Sequence, residues 1–350
     1  MLASRLHGAG DLRFDEVPDA VAGDGEVRLK VAYNGICGSD LHMYFRGQVV
    51  RDEPITLGHE FSGVIDAVGA GVTGLAPGTP VTVRPFFSCG HCERCARGLT
   101  HLCTPMRVLG CGAPEGGGLA EYCVAPAGMV FALPGGVSLE QGALVEPLAV
   151  SDNGIRRGDV EPGMSIVIFG AGPIGIGVLL GLRARGVTDV IVVEPSVARR
   201  ATVGALGAPE VLDPQRDDVL GVVRDRTRGR GADVVFECAG VAASFAQAGM
   251  AAGARGRVVV LAVYEDPIEW NPSMIMMQEV EIRGAVGYEE GCYEAVLALM
   301  AAGHFPTAGW VEHIAWPDLV DEGFGPLRRG ERMKVLVDVG GPMPSRSLDP

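Results

Sequence analysis

The chain has 350 residues, 47% of them hydrophobic, more than one core usually carries and ample for two, so wholesale disorder is excluded. Its formal charge is −14 and its 29 basic residues form no stripe, which excludes nucleic acid and anionic membrane surfaces as natural partners. No apolar run approaches the roughly 18 residues of a membrane span, and Met1-Leu-Ala-Ser-Arg lacks the apolar core of a signal peptide.

In chain order, residues 1–34 alternate apolar and polar between turns, and Glu26–Tyr33 reads as a strand. It delivers the chain to Gly35-Ile-Cys37-Gly-Ser39-Asp40-Leu-His42. Gly58-His59-Glu60 follows, and Glu60–Val68 is a second strand running away from His59. After a glycine-rich turn over 69–78 comes a third strand, Thr79–Arg84. Short strands joined by Gly/Pro turns predict a small, mostly β first domain. Cys37, His59 and Glu60 offer a thiolate, an imidazole and a carboxylate, and Glu146-Pro147 adds another carboxylate much later. One Cys, one His and one Glu from distant parts of a chain make an open zinc site, with a fourth position for water or substrate. Taken singly, such a Cys or His is more often a packing residue. Glu146 lies in an apolar segment and needs a partner there, either a metal ion or a simple salt bridge.

Between these come Cys89, Cys92, Cys95 and Cys103, with two, two and seven residues intervening. Four thiolates on one excursion close a tetrahedral zinc site that leaves no open position and is therefore structural. A redox dithiol needs only two of them, and four unlinked thiols would explain nothing about the spacing. His91 and His101 are alternative ligands or bystanders on the same loop. Such cysteine usage suits a reducing cytoplasm, the expected location. Cys111, Cys123, Cys238 and Cys292 read as core or loop thiols.

Residues 104–150 are weakly patterned apart from a strand at Ala120–Val124. From residue 160 the pattern changes: strand Ser165–Phe169, then Gly170-Ala-Gly172-Pro173-Ile174-Gly175, then helical Ile176–Arg185, then strand Asp189–Val193 ending at Glu194. This is the order of a dinucleotide-binding βαβ unit, with the pyrophosphate on the helix N-terminus. Glu194 can accept from both ribose hydroxyls and would repel a 2′-phosphate, which favours NAD over NADP, although Arg199 and Arg200 nearby can serve a phosphate. Strands at Asp233–Glu237, Arg257–Leu261 and Val280–Gly284 and a helix over 242–252 extend this into a doubly wound parallel sheet of about six strands. A helix over Glu289–Ala302 leads out of it, Met333–Asp338 is a last strand returning to the first domain, and residues 341–350 read as a frayed end.

Taken together, these motifs, in this order, resemble the zinc-containing medium-chain alcohol and polyol dehydrogenases over nearly the whole chain. The likeness is greatest to the 2,3-butanediol and sorbitol dehydrogenases, through Gly-Ser39-Asp40-Leu-His42, Glu146-Pro147-Leu-Ala-Val, Val263-Tyr-Glu-Asp-Pro267 and Gly284-Ala-Val-Gly-Tyr288. The resemblance implies an α/β protein: a GroES-like β-barrel catalytic domain (1–150 and 289–350) around a Rossmann domain (151–288), with the active site in the cleft. It implies two zinc ions per chain, one structural and one catalytic, the latter held by Cys37, His59 and Glu146, with Glu60 an alternate ligand or a supporting carboxylate. The implied reaction is reversible oxidation of a secondary alcohol, a vicinal diol or polyol, to a ketone with hydride transfer to NAD. Zinc acts as a Lewis acid on the alcohol, Ser39 and His42 relay its proton through the cofactor ribose to solvent, and Asp40 orients His59. Cofactor contacts fall to Gly170, Gly172, Pro173, Ile174, Gly175, Glu194 and Arg199, and homodimers or homotetramers are expected. Threonine, a simple secondary alcohol or a biosynthetic sugar or cyclitol are alternative substrates, and a non-catalytic NAD-binding protein is a remote alternative. Two departures bear on the substrate: Ser151-Asp152-Asn153 where relatives carry an Ala-Leu-His-type stretch, and Met43 where butanediol-type relatives often have a polar residue.

Overall fold

The computed structural model describes residues 1–47, 54–104, 106–113 and 116–341, and the expected frayed end lies almost wholly outside them. The chain divides into two compact units, one built from Met1–Glu146 with the segment from Thr307 onward, the other from Pro147–Pro306.

The first unit is organised on the strand Glu26–Gly35. Its alternate residues Val27, Leu29 and Val31 are buried, the period-two pattern of a strand with one face in a core. It pairs antiparallel with Glu60–Val68, with Tyr122–Pro126 and with Lys334–Asp338. The last pairing is the expected return of the C-terminal strand, and Val311–Ala315 then adds to it in parallel. Pro80–Val83 and Val130–Ala132 complete this seven-stranded sheet. The strand expected over Ala120–Val124 lies slightly later, because Ala120 is taken up in an isolated bridge to Ala3.

Two helices carry site residues that the alternation in the sequence did not reveal. Gly38–Arg46 has Cys37 as its N-cap and Asp40 at its third position. The Asp40 Oδ2 accepts from the Cys37 backbone N–H at 2.8 Å, and the helix stops at Gly47 in a left-handed turn. Val145–Arg157 carries Glu146 in its first turn, where the helix dipole favours an anion.

The second unit contains a six-stranded sheet in which every pair is parallel. Across it the order is 210–212, 190–193, 166–169, 232–237, 252–260, 281–284. The chain order thus reverses at Ile166–Phe169, the doubly wound arrangement whose carboxyl edge forms a ligand crevice. The short strand Glu210–Leu212 supplies the sixth member. The helix Cys292–Ala301, read from sequence as leading out at residue 289, stays with this unit: Cys292, Tyr293, Val296 and Met300 are buried, and Arg156 donates to the Gly291 carbonyl. Among the described residues no helix is long and apolar enough to cross a membrane.

Candidate active site and metal centres

The first unit brings Cys37, His59 and Glu60 together, with one potential ligand atom from each within 4.8 Å of the others. Adjacent positions on a strand point to opposite faces, but His59 precedes the strand Glu60–Val68 and turns on Gly58, whose φ of 98° is open to glycine and strained for other residues. His59 and Glu60 are both buried. Glu146 is buried as well but does not join the three at this distance, so the structure gathers a set with Glu60 where the resemblance led with Glu146. The Glu60 carboxylate also meets the Nζ of Lys334, which is 1% exposed and donates to the Ile36 carbonyl at 3.0 Å. Lys334 lies in the returning strand and went unnoticed in the sequence; its signal there was a lone cation in an otherwise apolar run, Lys-Val-Leu-Val.

Around the His59 ring, Ser39 Oγ is 3.4 Å from Nε2, while Cys111 Sγ is 3.3 Å and Asp40 Oδ1 3.7 Å from Nδ1. Burial alone would lower the His59 pKa; Cys111, Asp40 and Cys37 outweigh it and raise the value well above the usual imidazole range. Burial pushes the Asp40 carboxyl upward, and His59 and the Cys37 N–H oppose it. His42 sits on the same helix as Ser39 and Asp40. Sulfur, imidazole and carboxylate are the donor set of an open zinc site, and the three residues fit such an ion.

Cys89, Cys92, Cys95 and Cys103 converge to the same tolerance, and all nine cysteines are free thiols. Cys89 and Cys95 sulfurs are 3.9 Å apart, and Cys92 and Cys103 sulfurs 4.0 Å. A tetrahedron with arms of ~2.3 Å has edges of ~3.8 Å, so this spacing fits four thiolates about one zinc and no disulfide. Backbone N–H groups already point at these sulfurs: Cys92 N at Cys89, Cys95 N at Cys92, Cys89 N at Cys103. The Cys95 N–H is the main cause that lowers the Cys92 thiol to about 6, while burial lifts Cys95 to about 12. His91 turns to the Cys89 carbonyl at 2.7 Å, outside the sulfur set.

In the second unit a cavity of about 430 Å³ opens beside the glycine turn, lined among others by Gly170, Gly172, Glu194, Arg199 and Gln247. The three glycines have separate reasons. Gly170 has φ 95°, and a Cβ placed on it would come within 3.0 Å of the Ala239 backbone nitrogen. A Cβ on Gly175 would strike the Gly170 carbonyl oxygen, whereas the space over Gly172 is open for a ligand to occupy. Pro173 occupies the first turn of the helix Pro173–Ala184, and the Ile174 carbonyl accepts from Ser151. Glu194 accepts from Ala171 N at 2.8 Å and Ser196 N at 2.9 Å, so its carboxylate is fixed at the cavity wall. Arg200 is committed to Asp213 and to the Glu194 carbonyl, while Arg199 faces the cavity with a buried Nε that has no hydrogen-bond partner. The opposite wall was not foreseen. Glu237, fully buried at a strand end, accepts from Ala239 N, Gly240 N, Ser244 Oγ and Tyr264 Oη, pinning the turn that faces Gly170. Burial, and after it this carboxylate, push the Tyr264 phenol far up.

Ser151, Asp152 and Asn153, read from sequence as bearing on active-site polarity, are all buried and engaged within the second unit. Ser151 donates to Pro147 and Ile174 carbonyls, Asp152 pairs with Arg156 and Arg185, and Asn153 donates to the Gly287 carbonyl at 3.1 Å. Met43 is buried in the first unit's hydrophobic core.

Residues 23–135 match the alcohol dehydrogenase GroES-like domain and residues 173–302 the zinc-binding dehydrogenase family. The (R,R)-butanediol dehydrogenase of Bacillus subtilis (strain 168) is 37% identical, over 96% of this chain and 99% of its own. The crystal structure of 2R,3R-butanediol dehydrogenase from Bacillus subtilis superposes with a TM-score of 0.89, covering 96% of this chain and 99% of that one at 36% identity. A 2-dehydro-3-deoxy-L-galactonate 5-dehydrogenase of Pseudoalteromonas atlantica is also 37% identical, over 90% of this chain and 92% of its own. A Sinorhizobium meliloti 1021 protein solved with NADP bound gives a TM-score of 0.90 at 31% identity, covering 96% of this chain and 98% of that one.

Proposed function

The chain belongs to the zinc-containing medium-chain alcohol and polyol dehydrogenases, oxidoreductases acting on CH–OH donors, and from that premise we propose that it oxidises a vicinal diol of the 2,3-butanediol type to the hydroxyketone, with NAD as acceptor. The observation that carries this reading is the convergence of Cys37, His59 and Glu60 in the first unit. Zinc held there would supply Lewis acidity that eases removal of the alcohol proton, and a second zinc in the four-cysteine lobe would be structural. Ser39, whose hydroxyl lies beside His59 Nε2, takes up the alcohol proton and passes it toward His42 and solvent. Asp40 holds the helix start that carries Cys37 and Ser39 in register. Lys334 pairs with Glu60, which offsets the cost of burying that carboxylate beside Cys37 and His59. NAD is the preferred cofactor because the fixed Glu194 carboxylate accepts ribose hydroxyls and repels a 2′-phosphate, while Arg200 is already neutralised by Asp213.

A sugar-derived hydroxyl is the second reading, supported by the galactonate-type relative at the same identity. We also propose a homodimer through the edge strand Glu281–Gly284, which among the described residues is paired on one side only and has exposed Met276, Met277 and Val286 near it. The test is NADH appearance in zinc-replete protein across the chiral and meso 2,3-butanediols, sorbitol, xylitol, threonine, simple secondary alcohols and sugar acids, with NADP in parallel and acetoin in reverse. Turnover on a butanediol supports the proposal. Turnover on another alcohol keeps the chemistry and removes the diol. Silence with full zinc and NAD bound overturns the catalytic reading.

A further inference from the structure

The His59 ring has two acceptors near Nδ1, and only one is within reach. An N–H···O bond spans ~2.7–3.2 Å; Asp40 Oδ1 is 3.7 Å away, and although Asp40 is fully buried this oxygen has no hydrogen-bond partner. Its other oxygen is spent on the Cys37 N–H. Cys111 Sγ, at 3.3 Å, is within the longer range of a bond to sulfur. From these distances we infer that Cys111 is the positioning residue for His59: its sulfur accepts the Nδ1 hydrogen, which fixes the tautomer and leaves the Nε2 lone pair, on the Ser39 side, for the metal. This rests on the zinc reading of Cys37, His59 and Glu60.

The loop carrying Cys111 is built to hold it there. Gly110, at φ 75°, packs so closely that a Cβ on it would run into the Gly58 backbone, directly before His59. Cys111 N donates to the Val108 carbonyl at 3.1 Å, and Gly118 N and Leu119 N donate to the Gly58 and Leu57 carbonyls at 2.7 and 2.9 Å. Gly110, Gly118 and Leu119 thus tie both sides of Cys111 to the Leu57–Gly58 segment that precedes His59. A ligand histidine needs its second nitrogen held, since a free ring samples both tautomers and rotates. Here a soft sulfur holds it, and the buried carboxylate nearby secures the helix that carries Cys37.

The test compares wild type with Cys111→Ala and Cys111→Ser. Loss of zinc to a chelator is followed in each, with the four-cysteine lobe as the internal reference. In parallel, protein carrying ¹⁵N-labelled histidine is examined by NMR, metal-free at a pH where the ring is neutral and again zinc-loaded. We expect His59 to be the Nδ1-protonated tautomer in wild type. Cys111→Ala should release the first zinc about 10–100-fold faster, leave the lobe's zinc unaffected, and lose the protected Nδ1 hydrogen. Cys111→Ser, whose oxygen still accepts, should fall between. Unchanged release and an unchanged Nδ1 signal in Cys111→Ala would overturn the assignment and give the ring to Asp40. Should the alanine variant fail to fold, the serine variant decides by the same signal. If wild type takes up zinc only in the lobe, the catalytic-metal reading fails, while the metal-free tautomer still decides the role of Cys111.

Discussion

Replacing Lys334 by Met tests whether the first unit is built around a compensated charge. The side chain is 1% exposed and its partner Glu60 2% exposed, so water cannot take over when Nζ is removed. Breaking a buried pair from one side costs ~3–5 kcal/mol, against ~0–1 for an exposed pair. The Ile36 carbonyl loses its donor too. At ~2–4 °C per kcal/mol for a unit of this size, the melting temperature should fall by roughly 6–20 °C. The unit can be watched alone, because two of the three tryptophans, Trp310 and Trp316, are buried in it. Trp270→Phe silences the third, and urea unfolding of chelator-treated protein then reads the first unit by fluorescence. Glu60→Met added to Lys334→Met should recover most of the loss, since two apolar side chains leave no charge behind. Zinc should stabilise Lys334→Met more than wild type, because the ion supplies the cation that the variant lacks. A loss under ~1 kcal/mol, or a double variant as unstable as the sum of the singles, would refute the reasoning.

In metal-free protein, alkylation of the four-cysteine lobe should begin at Cys92, half-maximal near pH 6 because the lowered pKa makes it a thiolate above that value, and reach Cys95 last; mass mapping of the alkylated sites checks the order, and zinc should protect all four. Gly172→Ala should fold with unchanged melting temperature yet lose at least about tenfold in NAD affinity, whereas Gly175→Ala should lose ~1–3 kcal/mol of stability as well, because its Cβ meets the Gly170 carbonyl; calorimetric titration and thermal melts separate the two. Glu194→Gln should raise the NADP-to-NAD ratio of kcat/KM about tenfold, the roughly 1.4 kcal/mol of one relieved charge repulsion, and equal ratios in variant and wild type would remove Glu194 from cofactor choice.

What could be read from the sequence was whatever is encoded by spacing along the chain. The strand–glycine turn–helix–strand run of 166–194 is local, so its fold and the separate duties of Gly170, Gly172 and Gly175 follow from the order of residues. The four cysteines lie on one excursion and converge as expected. Even the return of Lys334–Asp338 was visible as an apolar run after the sheet domain ended. The helix Gly38–Arg46 was not, because Cys37 is an unusual cap and the motif's glycine and serine read as a turn.

The rest depends on contacts that no spacing encodes. Glu60 and Glu146 are both carboxylates next to apolar residues, and only folding decides that Glu60 joins Cys37 and His59. Lys334 lies 274 residues from its partner, and Cys111 lies 52 from His59. Ser151–Asn153 shows the converse: of three polar residues that look like a change of active-site polarity, the Ser151 hydroxyl, the Asp152 carboxylate and the Asn153 Nδ2 are spent on neighbouring carbonyls and arginines. A buried polar group must find a partner, and this rule says that Lys334, Glu237 and Asp152 each have one, but not which. In this chain the identity of that partner separates a structural group, such as Asp152 on its arginines, from one at the metal site, such as Glu60. The substitutions that discriminate are therefore those that remove a partner and leave the functional residue in place: Lys334→Met for Glu60 and Cys111→Ala for His59.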